Sequence, residues 1–167
     1  MSVFIESRIE FDFTKAVSAV PHDKPAPGHG NSLWPGVDFC VEDGGEWIWL
    51  EVKSWDPSPI PAKNRGGSRW SFLCKMRSKE FAKEARSKFL GTTAFLSWSS
   101  RFPLAPTRYI LLFEPPRPLD AALLVTFQSR LKPQVPNLAI WTAPLFVAVL
   151  NTAEWNRRYP DYPARLL

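Results

Sequence analysis

A chain of 167 residues, 45% hydrophobic and 14% aromatic, has the apolar content of one folded domain with its own core rather than of a disordered tail. No apolar stretch approaches the roughly 20 residues of a bilayer span, and MSVFIESRIEFDF at the start lacks the basic and then apolar run of a secretory signal. The net charge of +5 is uneven: residues 63–88 hold nine Lys or Arg against Glu80 and Glu84, a net of +7 that leaves −2 elsewhere. Such a segment suggests a polyanionic partner such as nucleic acid, although a solvated helix face has the same look. Cys40 and Cys74 are too few for a disulfide framework, and no Cys/His cluster has zinc spacing. Both are expected as small core residues in a reducing cytoplasm, with no membrane association.

In chain order, residues 2–20 read as an amphipathic helix, because Ile5, Ile9, Phe13, Ala16, Val17 and Val20 recur at three- and four-residue steps. Residues 21–30, PHDKPAPGHG, are a breaker-rich loop. Strands are expected over 36–42 and 46–53, joined by Glu-Asp-Gly-Gly as a hairpin. Residues 56–68 are too rich in Pro and Gly for a regular element and read as an exposed, mobile loop. A helix follows over 70–90, striped by Leu73, Phe81, Ala85 and Phe89, with Gly91 as its C-cap. Residues 91–98 and 108–114 read as buried strands, 119–131 as a helix, 144–150 as a strand and 152–159 as a short helix. With no internal repeat, this is one domain over 1–167 built on a mixed α/β sheet.

The stretch GGEWIWLEVKSWD, residues 44–56, places Glu51 and Lys53 inside the most apolar strand. Buried charges are costly without partners, so the strand either surfaces there or its charges hold something. Alternation puts Glu51 and Lys53 on one face. A turn at Gly44-Gly45 sets Asp38 directly opposite Glu51, whereas a turn at Asp43-Gly44 sets it diagonally. Both registers leave the two carboxylates on one face, about 5–8 Å apart at Cβ. They repel unless a cation lies between them, and a hard ion such as Mg²⁺ or Mn²⁺ suits their oxygens. Lys53 is then in reach of a phosphate oxygen or of the attacking water. A surface ion pair near a strand end is the bland alternative.

Pro35-Gly36-Val37-Asp38, twelve further residues, and Glu51-Val52-Lys53 together resemble the PD-(D/E)XK, or restriction endonuclease-like, nuclease superfamily. Two residues separate Pro35 from Asp38, where the nominal motif has Pro adjacent to Asp. The resemblance covers about residues 1–114 and implies an αβββαβ core, a central mixed sheet flanked by helices, with a C-terminal α/β extension over about 115–167. It implies a Mg²⁺- or Mn²⁺-dependent endonuclease that hydrolyses nucleic-acid phosphodiester bonds and leaves a 5′-phosphate; DNA is the expected substrate ahead of RNA, although the sequence does not identify one over the other. Asp38 and Glu51 would bind metal, Lys53 would assist the attacking water, and a Glu on the first helix would be a further ligand. Glu6, slightly nearer the apolar stripe, is favoured over Glu10 for that place; either is otherwise a solvated acid.

The helix after E-x-K flanks the active site in that family. Lys75, Arg77 and Lys79 are therefore expected to contact phosphates, with Ser71 in support and Arg65 and Arg69 clamping the strand to be cut. Trp47, Trp49, Trp55 and Trp70 are candidates for base stacking, though core is the commoner fate of Trp. His22 and His29 read as polar loop residues. With no separate recognition domain visible, specificity would come from substrate structure, a homodimer or a partner protein. A non-catalytic nucleic-acid-binding or protein-interaction module is the rival reading.

Overall fold

The computed structural model describes residues 2–22, 35–99, 107–115, 121–136 and 145–167. Its first three elements are strands: β1 (Val3–Glu6), β2 (Ile9–Asp12) and β3 (Ser18–Pro21). The helix expected over residues 2–20 is thus replaced, and among the described residues no helix precedes the hairpin. A four-residue spacing such as Ile5, Ile9, Phe13 is a multiple of two and satisfies strand and helix alike; Phe11 separates them. Ile9, Phe11 and Phe13 are all buried, which only a period of two allows. Ser7 and Arg8, with φ of 49° and 66°, turn β1 back onto β2.

Next come β4 (Phe39–Asp43) and β5 (Glu46–Ser54), then α1 (Arg65–Arg77), α2 (Lys79–Trp98) and β6 (Thr107–Glu114). The chain continues through α3 (Ala121–Leu131), β7 (Phe146–Leu150), α4 (Thr152–Arg158) and β8 (Ala164–Leu166). Gly44 and Gly45, both at positive φ, form the tight turn between β4 and β5, a conformation that glycine adopts without steric cost. The helix expected over 70–90 is two helices, broken where Ser78 takes an extended conformation and caps α2 by accepting from Phe81 N. The loop expected over 56–68 winds into a 3-10 turn at Ala62–Asn64 and then into α1, which includes Gly66 and Gly67.

Residues 91–98, expected as a strand, complete α2. Gly91 is not its C-cap but an interior position that lets another segment come close. A Cβ there would lie 2.0 Å from the Pro35 carbonyl oxygen. Thr92, β-branched and so strand-like in sequence, accepts from Val37 N at 2.9 Å. Together they fasten the segment Pro35–Val37, which leads into Asp38, against the middle of α2. Gly91→Ala is expected to destabilise the protein by about 1–3 kcal/mol, since a backbone rather than a flexible side chain must give way. Thermal unfolding of the variant measures this, and an unchanged melting temperature would count against the clamp.

Five strands form the main sheet in the order β3-β4-β5-β6-β7, with β5 at its centre. Pairings are antiparallel from β3 to β5 and parallel from β5 to β7, the latter made possible by helical crossovers. On one face Cys40, Trp49, Tyr109, Leu111, Phe113 and Val149 pack under residues of α1, α2 and α3, including Met76, Phe81, Phe89 and Phe127. On the other, Phe39, Val41, Ile48, Leu50, Ile110 and Leu112 meet Phe11, Phe13, Trp155 and Tyr162. These last belong to the β1-β2-β8 sheet, α4 and the loop after it. The architecture is a mixed α/β sheet covered on both faces. Among the described residues no helix is long and apolar enough to cross a membrane.

Candidate functional site

The register Phe39↔Leu50 through Asp43↔Glu46 is the one that the Gly44-Gly45 turn dictates, and one step further it sets Asp38 opposite Glu51. Ile48, Leu50 and Val52 point to the β1-β2-β8 side, so Glu51 and Lys53 point to the side of α2. Asp38 follows the same alternation from Phe39 and Val41. The charged pair in the apolar strand therefore belongs to the helical face of the central strand, near its C-terminal end.

Asp38 and Glu51 are almost fully buried, at 4% and 1% exposure. Asp38 Oδ2 accepts from Val52 N at 2.6 Å, and its backbone carbonyl accepts from His22 N at 2.9 Å. The side chain thereby extends the β4 pairing one residue past the strand. Its other oxygen, Oδ1, lies 3.2 Å from Lys88 Nζ, which also lies 2.9 Å from Glu51 Oε1. Lys53 Nζ is 2.8 Å from the same Glu51 oxygen and 3.1 Å from Glu84 Oε1. Lys75 Nζ closes the chain of charges at 3.5 Å from Glu84 Oε2. Three carboxylates and three ammonium groups thus share one cluster.

Glu51 Oε1 is held by its two close contacts with Lys53 and Lys88, and Oε2 has no hydrogen-bond partner among the described residues. Burial, followed by the Asp38 charge, pushes the Glu51 carboxyl up to about 7 against the opposing pull of Lys88 and Lys53. Burial would lower both lysines, but Glu51 and its fellow acids outweigh it and raise them. The ammonium groups are therefore firmly protonated next to a carboxylate that is not firmly ionised. A buried, under-satisfied carboxylate between cations is a high-energy arrangement, and such arrangements concentrate at functional sites.

The structure brings Asp38, Glu51 and Lys53 together, with Lys75 at the margin. It does not bring Glu6 there: Glu6 ends β1 and accepts from Ser7 Oγ at 3.4 Å. Glu10 pairs with Arg165 at 2.8 Å. Among the described residues no three His, Cys, Asp or Glu side chains converge as metal ligands, so the first-helix ligand is lost along with the helix. Ser71 bonds back to Gly67 O within α1, and Arg65 donates to Ile60 O at 3.2 Å. Arg69 lies half-buried in α1. Arg77 and Lys79 are exposed at the α1–α2 junction, where they line a cleft with Arg130.

Trp49 is core, Trp47 packs against it, and Trp55 is half-buried. Trp70, at 64% exposure, stands free on α1. His22 is buried against Phe95 rather than a polar loop residue, and His29 lies outside the described residues. Cys40 is buried as expected, but Cys74 is exposed on α1. The residues that sequence reasoning passed over are Glu84 and Lys88. Their i, i+4 spacing beside the Phe81, Ala85, Phe89 stripe was the available signal, because on a helix it places both at the border of the buried face.

Comparison with protein-family models, with curated proteins and with solved structures finds no match.

Proposed function

We propose that this protein is a divalent-metal-dependent nuclease of the restriction endonuclease-like type, with DNA as its expected substrate. The observation that carries the reading is the buried pair Asp38–Glu51 beside Lys53 on one face of the hairpin, with Glu51 Oε2 lacking a hydrogen-bond partner among the described residues. Two carboxylates fit Mg²⁺ or Mn²⁺ better than a metal needing an all-protein cage, since Mg²⁺ is commonly held by one or two carboxylates with water and substrate phosphate completing its shell. The antiparallel-then-parallel sheet and the helices that follow E-x-K are compatible with that fold. The missing leading helix departs from it.

Asp38 and Glu51 would hold the ion, which would polarise the phosphoryl group and make the attacking water more acidic. Lys53, kept protonated by Glu51 and Glu84, serves as a donor that orients water or steadies charge growing on the phosphate; it is a poor proton acceptor. Residues 63–88 would follow the backbone of the nucleic acid. Incubating the protein with single-stranded, duplex and branched DNA and with RNA, with Mg²⁺, Mn²⁺ or EDTA, tests the reading. Cleavage that EDTA abolishes supports it. Metal-independent binding with no cleavage under any condition would favour a non-catalytic module, a reading that the charge-neutralised cluster also suits. We place the protein in the cytoplasm, with a homodimer or a partner protein as possible sources of specificity.

The basic segment carries its own prediction. If Lys75, Arg77 and Lys79 each neutralise one phosphate, replacing all three by Ala should flatten the log–log dependence of affinity on salt. The expected change is roughly 2.7 for duplex and 2.1 for single strands. Fluorescence anisotropy at several salt concentrations gives both slopes, and equal slopes would show that α1 and the start of α2 do not track phosphates.

A further inference from the structure

Lys88 enters the cluster from the opposite side to the hairpin. It projects from α2 one turn before Gly91 and Thr92, the two residues that fasten the segment leading into Asp38. Its ammonium touches Asp38 Oδ1 at 3.2 Å and Glu51 Oε1 at 2.9 Å, and among the described cationic side chains it alone pairs with both carboxylates. Lys53 touches only the second of them, and Lys75 neither. A cation bridging these two oxygens is what the repulsion between them requires, and a lysine now supplies it.

We infer that Lys88 occupies, in the metal-free protein, the seat of the divalent cation, so that ion and ammonium compete for Asp38 and Glu51. The inference rests on the metal-dependent reading above and adds to it a built-in competitor. Two features support displacement rather than permanent residence. The Lys88 side chain keeps 17% exposure, so its end can leave on a flexible four-carbon stem. The ammonium donates a hydrogen bond to Asp38 Oδ1, while Glu51 Oε1 holds it as a close ion pair shared with Lys53, so Glu51 has a second cation in place when Lys88 leaves. Once an ion replaces the ammonium, the cluster carries excess positive charge. The released Lys88 is then free to pair with an anionic phosphate oxygen, which would link ion entry to substrate binding.

The full-length protein, stripped with EDTA and dialysed, should be titrated with Mn²⁺ by calorimetry alongside three variants. Lys88→Met removes the competitor and should bind Mn²⁺ about tenfold more tightly or better. Lys88→Arg, whose planar fork holds two carboxylates more firmly than an ammonium does, should bind it more weakly than wild type. Lys75→Met removes an equal charge from the cluster without freeing the seat, and should change affinity less than about threefold. Wild-type binding with Lys88→Met unchanged or weaker would overturn the competition while leaving the metal reading intact. Should Lys88→Met fail to fold, Lys88→Arg decides alone, and affinity equal to or tighter than wild type overturns the inference. No Mn²⁺ binding by any of the four proteins would overturn both the competition and the metal-dependent reading.

Discussion

Asp38→Asn is expected to lower metal-dependent cleavage by roughly a thousandfold or more, the scale on which single electrostatic contributors to a reacting centre act. Asparagine keeps an oxygen to accept from Val52 N, removes the charge, and gives up the hydrogen bond that Asp38 Oδ1 accepts from Lys88, whose ammonium can turn to Glu51. The fold should therefore survive, with a melting temperature within a few degrees of wild type. Asp38→Ala is a poorer probe because it strands the Val52 N–H beneath the surface, at a cost of about 1–3 kcal/mol. Lys53→Gln should reduce cleavage on a similar scale. Activity assays with Mg²⁺ and Mn²⁺, run beside circular-dichroism melts, separate chemistry from folding. Near wild-type cleavage by both variants would place the reaction elsewhere on the molecule.

Glu51→Gln should make the metal-free protein more stable at pH 8, by about 1–3 kcal/mol. The sign follows from the raised carboxyl, which moves from 4.5 to about 7 on folding. Between those values the folded state holds a proton that the unfolded state has released, so stability falls as pH rises through the window and levels off above it. Glutamine, neutral throughout, has no such dependence. The advantage of the variant should thus be near zero around pH 4.5, grow up to about pH 7 and then hold. Denaturant melts at five or six pH values in EDTA would trace it. A variant less stable at pH 8 than at pH 5, relative to wild type, would show that Glu51 is ionised at little cost.

Much of the site was legible because its geometry depends on local rules. The glycines announce a tight turn, and in either register that it allows, alternation places Asp38, Glu51 and Lys53 on a common face; the structure then selects the Gly44-Gly45 turn. The same locality made α3, β7 and α4 readable within a few residues. Residues 2–20 were not, because Ile5, Ile9 and Phe13 fit two periods and the deciding partner of β2 is residues 164–166, out of reach of any window. Residues 91–98 misled for a related reason. Thr92 and Thr93 look like strand residues, yet Thr92 serves Val37 and Thr93 bonds back to Phe89 O. Gly91 reads as a stop only to an eye that cannot see Pro35 behind it. Lys88 stayed hidden because it reaches the carboxylates across the sheet–helix boundary, not along the strand.

The pairing of β2 with β8 joins residues more than 150 positions apart, as in Ile9 with Leu166. During synthesis the β1–β2 hairpin emerges from the ribosome well before β8. At a translation speed of about 5–20 residues per second, the wait is on the order of ten seconds or more. Throughout it, one edge of β2 lacks its strand, and Phe11 and Phe13 lack Trp155 and Tyr162, the aromatic neighbours they have in the finished fold. An open strand edge beside uncovered aromatic rings invites pairing with another chain. The nascent chain is thus open to self-association until β8 has emerged, and slow codons between β2 and β8 would lengthen that exposure.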